Sequence, residues 1–190
     1  SGAHKKPWVV YSDREGNAAY VNPGGKVKSA EVGFLDAMLV IGRKGEYLKL
    51  IKYKPENIKN NRFAERKKAE YVGWMHKSFL ILSPTSVTDI RSGQKNKLIT
   101  AIADTVAILH PKRYFAAADS LKVYGEPDRR KAGRTAGLHQ IVYEVKTSAD
   151  GLSVLVANAT DWNAENVKEQ IIGWLPKEML RTNKSASYTH

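Results

Sequence analysis

The chain has 190 residues, 42% of them hydrophobic and 26% charged, with no cysteine and a formal net charge of +12. This is the composition of a folded chain rather than a disordered one, and it excludes disulfides, thiol nucleophiles and thiolate metal sites. No apolar run approaches the roughly 20 residues a membrane-spanning helix needs. No signal peptide is visible, and a start at Ser1-Gly2 leaves room for a leader already removed.

In chain order, residues 1–7 are polar, end in Pro7 and read as a flexible arm. Trp8-Val9-Val10-Tyr11 has the aromatic and β-branched content of a strand. A polar turn over 12–17 leads to a short strand over 18–21, and Asn22-Pro23-Gly24-Gly25 is turn chemistry again. It lacks the following helix and the Lys-Ser/Thr of a phosphate loop. A strand is expected over 37–41 and a hairpin at Arg43-Lys44-Gly45. The alternating run 46–53 follows, with Leu48, Leu50 and Tyr53 toward a core. Residues 54–70 form a charged insert, read as an exposed loop with a helical turn over 63–68. Residues 71–75 are a strand, 76–80 a single 3₁₀ turn, and 81–82 a closing strand before Pro84.

Residues 84–118 read as a connector, with extended structure favoured over a helix across 98–109 because of its β-branched residues. The pattern then restarts. Leu121-Lys122-Val123-Tyr124 looks like Trp8-Val9-Val10-Tyr11, residues 140–145 alternate as a strand, and Ser148-Ala149-Asp150-Gly151 is a hairpin turn. Residues 152–157 return, 158–170 are a polar insert, and 183–190 a polar tail.

The most informative feature is a pair. Gly73-Trp74-Met75-His76-Lys77-Ser78-Phe79-Leu80 and Gly173-Trp174-Leu175-Pro176-Lys177-Glu178-Met179-Leu180 share Gly, Trp, Lys and Leu in the same places. They stand about one domain length apart, so the chain reads as two copies of one small unit rather than as a solenoid. About five short strands per copy, with no long helix, are best buried in a strongly bent barrel. The expected fold class is therefore all-β (mainly), with two small barrels at 8–83 and 119–182.

The Gly-Trp strand, 3₁₀ turn and closing Leu resemble the last third of bacterial SH3 (SH3b) domains, and the Tyr11 and Tyr124 strands resemble that family's first strand. The insert 54–70 is longer than that pattern has, and the last strand of the second copy, from Arg181 onward, looks weak. The whole arrangement is also similar to the N-terminal region of the TssR family, components of the Bacteroidetes-type type VI secretion apparatus. Its members continue into a von Willebrand A-type domain, which would make this chain a fragment of a longer envelope protein. The resemblance implies SH3-like barrels, a periplasmic location in the cell envelope, and a protein partner in an envelope or secretion complex. Tandem SH3b domains also imply an alternative, peptidoglycan targeting within a larger protein.

Chemistry is sparse. None of His4, His76, His110, His139 and His190 is paired at metal-ligand spacing, and no nucleophile, metal or phosphate motif stands in context. The expectation is no enzyme, no metal and no cofactor. His76 either lines a groove or serves as a polar residue of the 3₁₀ turn, the second being favoured. Trp74 and Trp174 are read as core pillars first and ligand platforms second, whereas Tyr11, Tyr20, Tyr71 and Tyr124 tolerate a wet edge. These six are the ligand-groove candidates. The basic-patch candidates are Lys54, Arg62, Arg66, Lys67 and Lys68 in the insert, and Arg129, Arg130 and Lys131 in the second copy. Residues 1–83 carry 16 Lys and Arg against 8 Asp and Glu, whereas 119–190 carry 10 against 9. The charge is spread rather than interleaved with aromatics along one element, which disfavours nucleic acid.

Overall fold

Strand and turn chemistry become structure most directly where alternation is strict. Tyr47–Lys52 is a strand in which Leu48 and Leu50 are buried while Tyr47 and Lys49 face outward. The computed structural model describes residues 8–55, 58–59, 62–63, 70–82, 98–101, 120–124, 127, 132–137, 141–159 and 161–182. The chain divides into two units, Ser1–Ser83 and Pro84–His190.

The first unit is built from Val9–Ser12 (β1), Asn17–Tyr20 (β2), Lys28–Val32 (β3), Ala37–Lys44 (β4), Tyr47–Lys52 (β5), Tyr71–His76 (β8) and Leu80–Ile81 (β9). Ile58–Lys59 (β6) and Arg62–Phe63 (β7) form a separate two-stranded ribbon inside the charged insert. The insert is therefore not all loop. Phe63 is in a strand, and the rest of the helical turn expected there lies outside the described residues. The seven main strands form one curled sheet in the order β3-β2-β8-β5-β4-β1-β9. Its inner face buries Val10, Ala19, Met38, Leu48, Leu50, Val72, Met75 and Leu80. Each of the larger side chains contributes about 1.5–3 kcal/mol by leaving water.

The second unit repeats this plan. Its strands are Leu98–Ala101 (β10), Ser120–Tyr124 (β11), Ala132–Gly137 (β12), Ile141–Thr147 (β13), Ser153–Ala157 (β14), Ile171–Pro176 (β15) and Leu180–Thr182 (β16). The order β12-β11-β15-β14-β13-β10-β16 matches the first sheet position for position. A mainly β fold on small curled barrels, as expected from the sequence, is what forms.

The correspondence between copies differs from the expected one. Tyr124 pairs with Trp174 as Tyr20 pairs with Trp74, so β11 is the counterpart of β2 and not of β1. The counterpart of β1 is Leu98–Ala101, inside the stretch read as connector, and it pairs with β13 and β16. The weak-looking last strand is present as β16. The sequence reading also passed over β3, a polar strand at the sheet's edge.

Gly73 shows why the Gly-Trp pair exists. Its φ is +131°, and a Cβ there would lie 2.8 Å from the Tyr20 carbonyl oxygen and closer still to Ser29 Oγ. Ser29, on β3, reaches across to donate to the Val72 carbonyl at 2.6 Å. The β2–β3 hairpin thus folds over β8 at the one residue without a side chain. Gly173 repeats the conformation, with φ +145°.

Candidate binding cleft

The outward positions of β2, β5 and β8 meet on one face of the first unit. Trp74 stands opposite both Tyr20 and Lys49, and Tyr47 stands opposite His76. Cross-strand neighbours of this kind touch through their side chains. The Tyr47 and His76 rings meet edge to face, with centroids 5.0 Å apart and planes at 88°. Lys49 Nζ lies 5.7 Å from the Tyr71 ring centre and 6.0 Å from that of Trp74, both within cation–π range.

Next to this face is a cleft of about 520 Å³, a size at which small-molecule and peptide sites occur. Tyr20, Tyr47, His76 and Phe79 line it with rings, and Arg14 and Asn17 add polar groups. One rim is the turn at Asn22-Pro23-Gly24-Gly25, closed by a hydrogen bond from Gly25 N to the Asn22 carbonyl at 2.9 Å. Gly24 has φ +74°, and a Cβ there would come within 3.5 Å of the Tyr47 hydroxyl. The turn leans over Tyr47 at that point.

The opposite wall is the 3₁₀ turn Lys77–Phe79. His76 caps it, with Nδ1 accepting from Ser78 N at 3.1 Å and lying 2.7 Å from Ser78 Oγ. An Nδ1 that accepts a backbone N–H leaves the neutral ring's proton on Nε2. His76 therefore serves both readings offered by the sequence, groove wall and turn residue.

A buried polar network fixes Phe79 and Arg14. Asn17, 3% exposed, donates from Nδ2 to Ser12 Oγ at 3.0 Å and to the Phe79 carbonyl at 2.8 Å. Arg14 donates to the fully buried Asp13 through Nε at 2.7 Å and Nη2 at 3.2 Å. Its guanidinium carbon lies 4.7 Å from the centre of the Phe79 ring. Buried polar groups satisfied in this way rigidify what they hold. At the start of the 3₁₀ turn, Lys77 binds Glu46 and holds that carboxyl below its ordinary value. No group of three or more potential metal ligands occurs among the described residues.

The predicted site residues fall into three sets. Tyr20, Trp74 and Tyr71 share the outward face, with Trp74 half-buried and Tyr71 48% exposed. Tyr11 and Trp174 do not offer a platform. Tyr11 is 3% exposed because β1 lies between β4 and β9, and Trp174 is fully buried. Tyr124 takes Tyr20's place in the second sheet, but its side chain lies outside the described residues. Of the basic candidates, Lys54 binds Glu70 at 2.9 Å. The side chain of Arg62, and Arg66, Lys67, Lys68, Arg129, Arg130 and Lys131 altogether, lie outside the described residues. Sequence reasoning missed Arg14, Asn17, Tyr47, Lys49 and Phe79. The alternation that sent Leu48 and Leu50 inward would have sent Tyr47 and Lys49 outward.

Among the described residues of the second unit, the positions matching Tyr47, Lys49 and His76 carry different side chains. By register, Ser153 and Pro176 stand where Tyr47 and His76 stand, and Leu155 stands where Lys49 does. Every residue of β14, and Ile171 through Leu175 of β15, is buried.

Residues 1–82 match the family model of the TssR protein N-terminal barrel domain, and residues 96–182 match that of the TssR second domain. No curated protein and no solved structure matches the chain.

Proposed function

Since the chain belongs to the TssR family, and through it to the proteins associated with type VI secretion, we propose that it is a non-catalytic interaction module of that apparatus. In this reading it works on the periplasmic side of the cell envelope, and the cleft of the first unit is its contact site. The observation that carries it is the divergence of two like folds. The first unit keeps an open, ring-lined cleft, whereas in the second, among the described residues, β14 is buried and Ser153, Leu155 and Pro176 stand at the corresponding positions. An exposed aromatic surface on a folded domain commonly marks a binding site.

The barrels are further read as SH3-like of the bacterial kind. The strand order β9-β1-β4-β5-β8, with a 3₁₀ turn between β8 and β9, supports that resemblance, and the β2–β3 hairpin is then the long first loop folded against the sheet.

The test is the full-length protein in its own bacterium with Tyr20→Ser and Tyr47→Ser together. The expected result is loss of type VI effector secretion at unchanged protein level, with the variant still folded. Secretion equal to the parent strain overturns the assignment.

A further inference from the structure

We infer that the cleft of the first unit receives an acidic protein segment, with a carboxylate at Arg14 and an apolar or aromatic side chain among Tyr20, Tyr47 and Phe79. This rests on the reading of the cleft as a contact site and adds the chemistry of the partner. Among the described residues, no Asp or Glu lines the cleft, and its ionisable groups include Arg14 and His76. The unit around it carries twice as many basic as acidic residues, so an approaching anion meets a favourable field.

Arg14 is prepared for such a partner. Asp13 engages two of the five N–H donors a guanidinium has, and Phe79 supports its plane. The donors that Asp13 does not use belong to a side chain that lines the cleft and is 29% exposed. A guanidinium held at one edge by a buried carboxylate loses little freedom on binding a second one, and planar carboxylate recognition suits arginine better than lysine. The rings supply flat apolar contact at low entropic cost. A nucleic acid fits less well. Lys49 lies over ring faces and Lys77 is bound to Glu46, and among the described lining residues Arg14, already paired with Asp13, is the one Lys or Arg for a polyanion that needs several cations.

The experiment is an amide NMR titration of the whole chain with three blocked pentapeptides, Glu-Phe-Glu-Leu-Glu and its Gln-for-Glu and Lys-for-Glu counterparts. The acidic peptide should give saturable shifts at Ala18, Gly24 and Ser78, weakening as salt is raised. The Gln peptide should bind at least about tenfold more weakly, as loss of a charge-assisted hydrogen bond predicts. Arg14→Gln should bring the acidic peptide to the affinity of the Gln peptide. Because that variant removes the Arg14 pairing of the buried Asp13, the paired Asp13→Asn, Arg14→Gln variant is measured beside it and should behave the same way. Equal binding of the Lys peptide, absence of saturable shifts, or unchanged affinity in the paired variant overturns the inference. So does retention on purified sacculi, or saturation by an oligothymidylate, where the acidic peptide fails. If no peptide binds while Tyr20→Ser, Tyr47→Ser still abolishes secretion, the acidic chemistry is wrong and the cleft's role stands. If the peptide binds while secretion persists, the chemistry is supported and the role is wrong.

Discussion

Replacing Gly73 by alanine tests the closure of the first barrel. The backbone there has φ +131°, a region that side chains avoid at a cost of about 1–3 kcal/mol. The added methyl would also lie 2.8 Å from the Tyr20 carbonyl oxygen and against Ser29 Oγ. Ser29 can turn away, but it then gives up its 2.6 Å hydrogen bond to the Val72 carbonyl, worth about 0.5–1.5 kcal/mol. The Tyr20 carbonyl cannot turn away, because Tyr20 pairs with Trp74 in the sheet. Together these give roughly 1.5–4.5 kcal/mol for Gly73→Ala. In a barrel of this size each kcal/mol is worth about 4–8 °C, so the first unit should melt at least about 6 °C lower. The assay is a thermal melt followed by amide NMR signals resolved to β5 and β8. Gly45→Ala is the control, since it has φ +60° but nothing within 4 Å of a Cβ, and it should cost only about 1 kcal/mol. Adding Ser29→Ala to Gly73→Ala should recover part of the loss and never all of it. If Gly73→Ala melts within a degree of the parent, the hairpin is not held over β8 in the way described and the account of the Gly-Trp motif fails.

The two tryptophans should differ although they occupy the same place. Trp174→Ala empties a fully buried site and should cost about 3–5 kcal/mol. Trp74→Ala removes a half-buried ring with Lys49 over it and should cost clearly less. Hydrogen exchange of the β14 and β15 amides against those of β5 and β8 measures both. Glu70 gives a pH test. Hydrogen bonds from Lys52 and Lys54, each at 2.9 Å, lower its pKa from 4.5 to about 2. A depressed folded-state pKa means the contribution is present above about 4.5 and is lost as pH falls toward 2. In low salt, the parent's stability should therefore fall across that window more than that of Glu70→Gln, and 1 M salt should shrink the difference. A ¹³C titration of the Glu70 carboxyl with a midpoint near 4.5 would refute the clamp.

The sequence made some of this legible for physical reasons that also explain the rest. Strict alternation marked β5, and turn residues marked the hairpins at Gly45 and Gly151, whose φ values are +60° and +75°. The strand β3 was invisible because an edge strand buries little. Of Lys28, Ser29, Ala30, Glu31 and Val32, only Val32 is buried, so no apolar period appears. The copies were misaligned because strand chemistry does not state a strand's partner. Tyr124 resembles Tyr11 in its local sequence, but pairing is long-range, and only the ladder to Trp174 shows it to be the equal of Tyr20. The same limit hid the cleft. Arg14 and Tyr20 are far in the chain from Tyr47 and from Phe79, and no spacing rule joins them.

What the two copies share and where they differ separates architecture from recognition. Gly73 and Gly173 both take a positive φ, and the tryptophan after each pairs across to the hairpin strand. These are demands of closing a small curled sheet, and any copy of the fold must meet them whatever it binds. Tyr47, His76 and Lys49 meet no such demand, since Ser153, Pro176 and Leu155 stand in their places in a sheet of the same order. Nor does closure require Phe79 to remain 41% exposed, where leaving water would stabilise it. The buried hydrogen bonds of Asn17 and the Asp13 pairing of Arg14 hold this wall open instead. A repeated tryptophan first suggests a site, but here it belongs to the frame. Chemistry particular to the first unit is found at the positions that the second unit replaced.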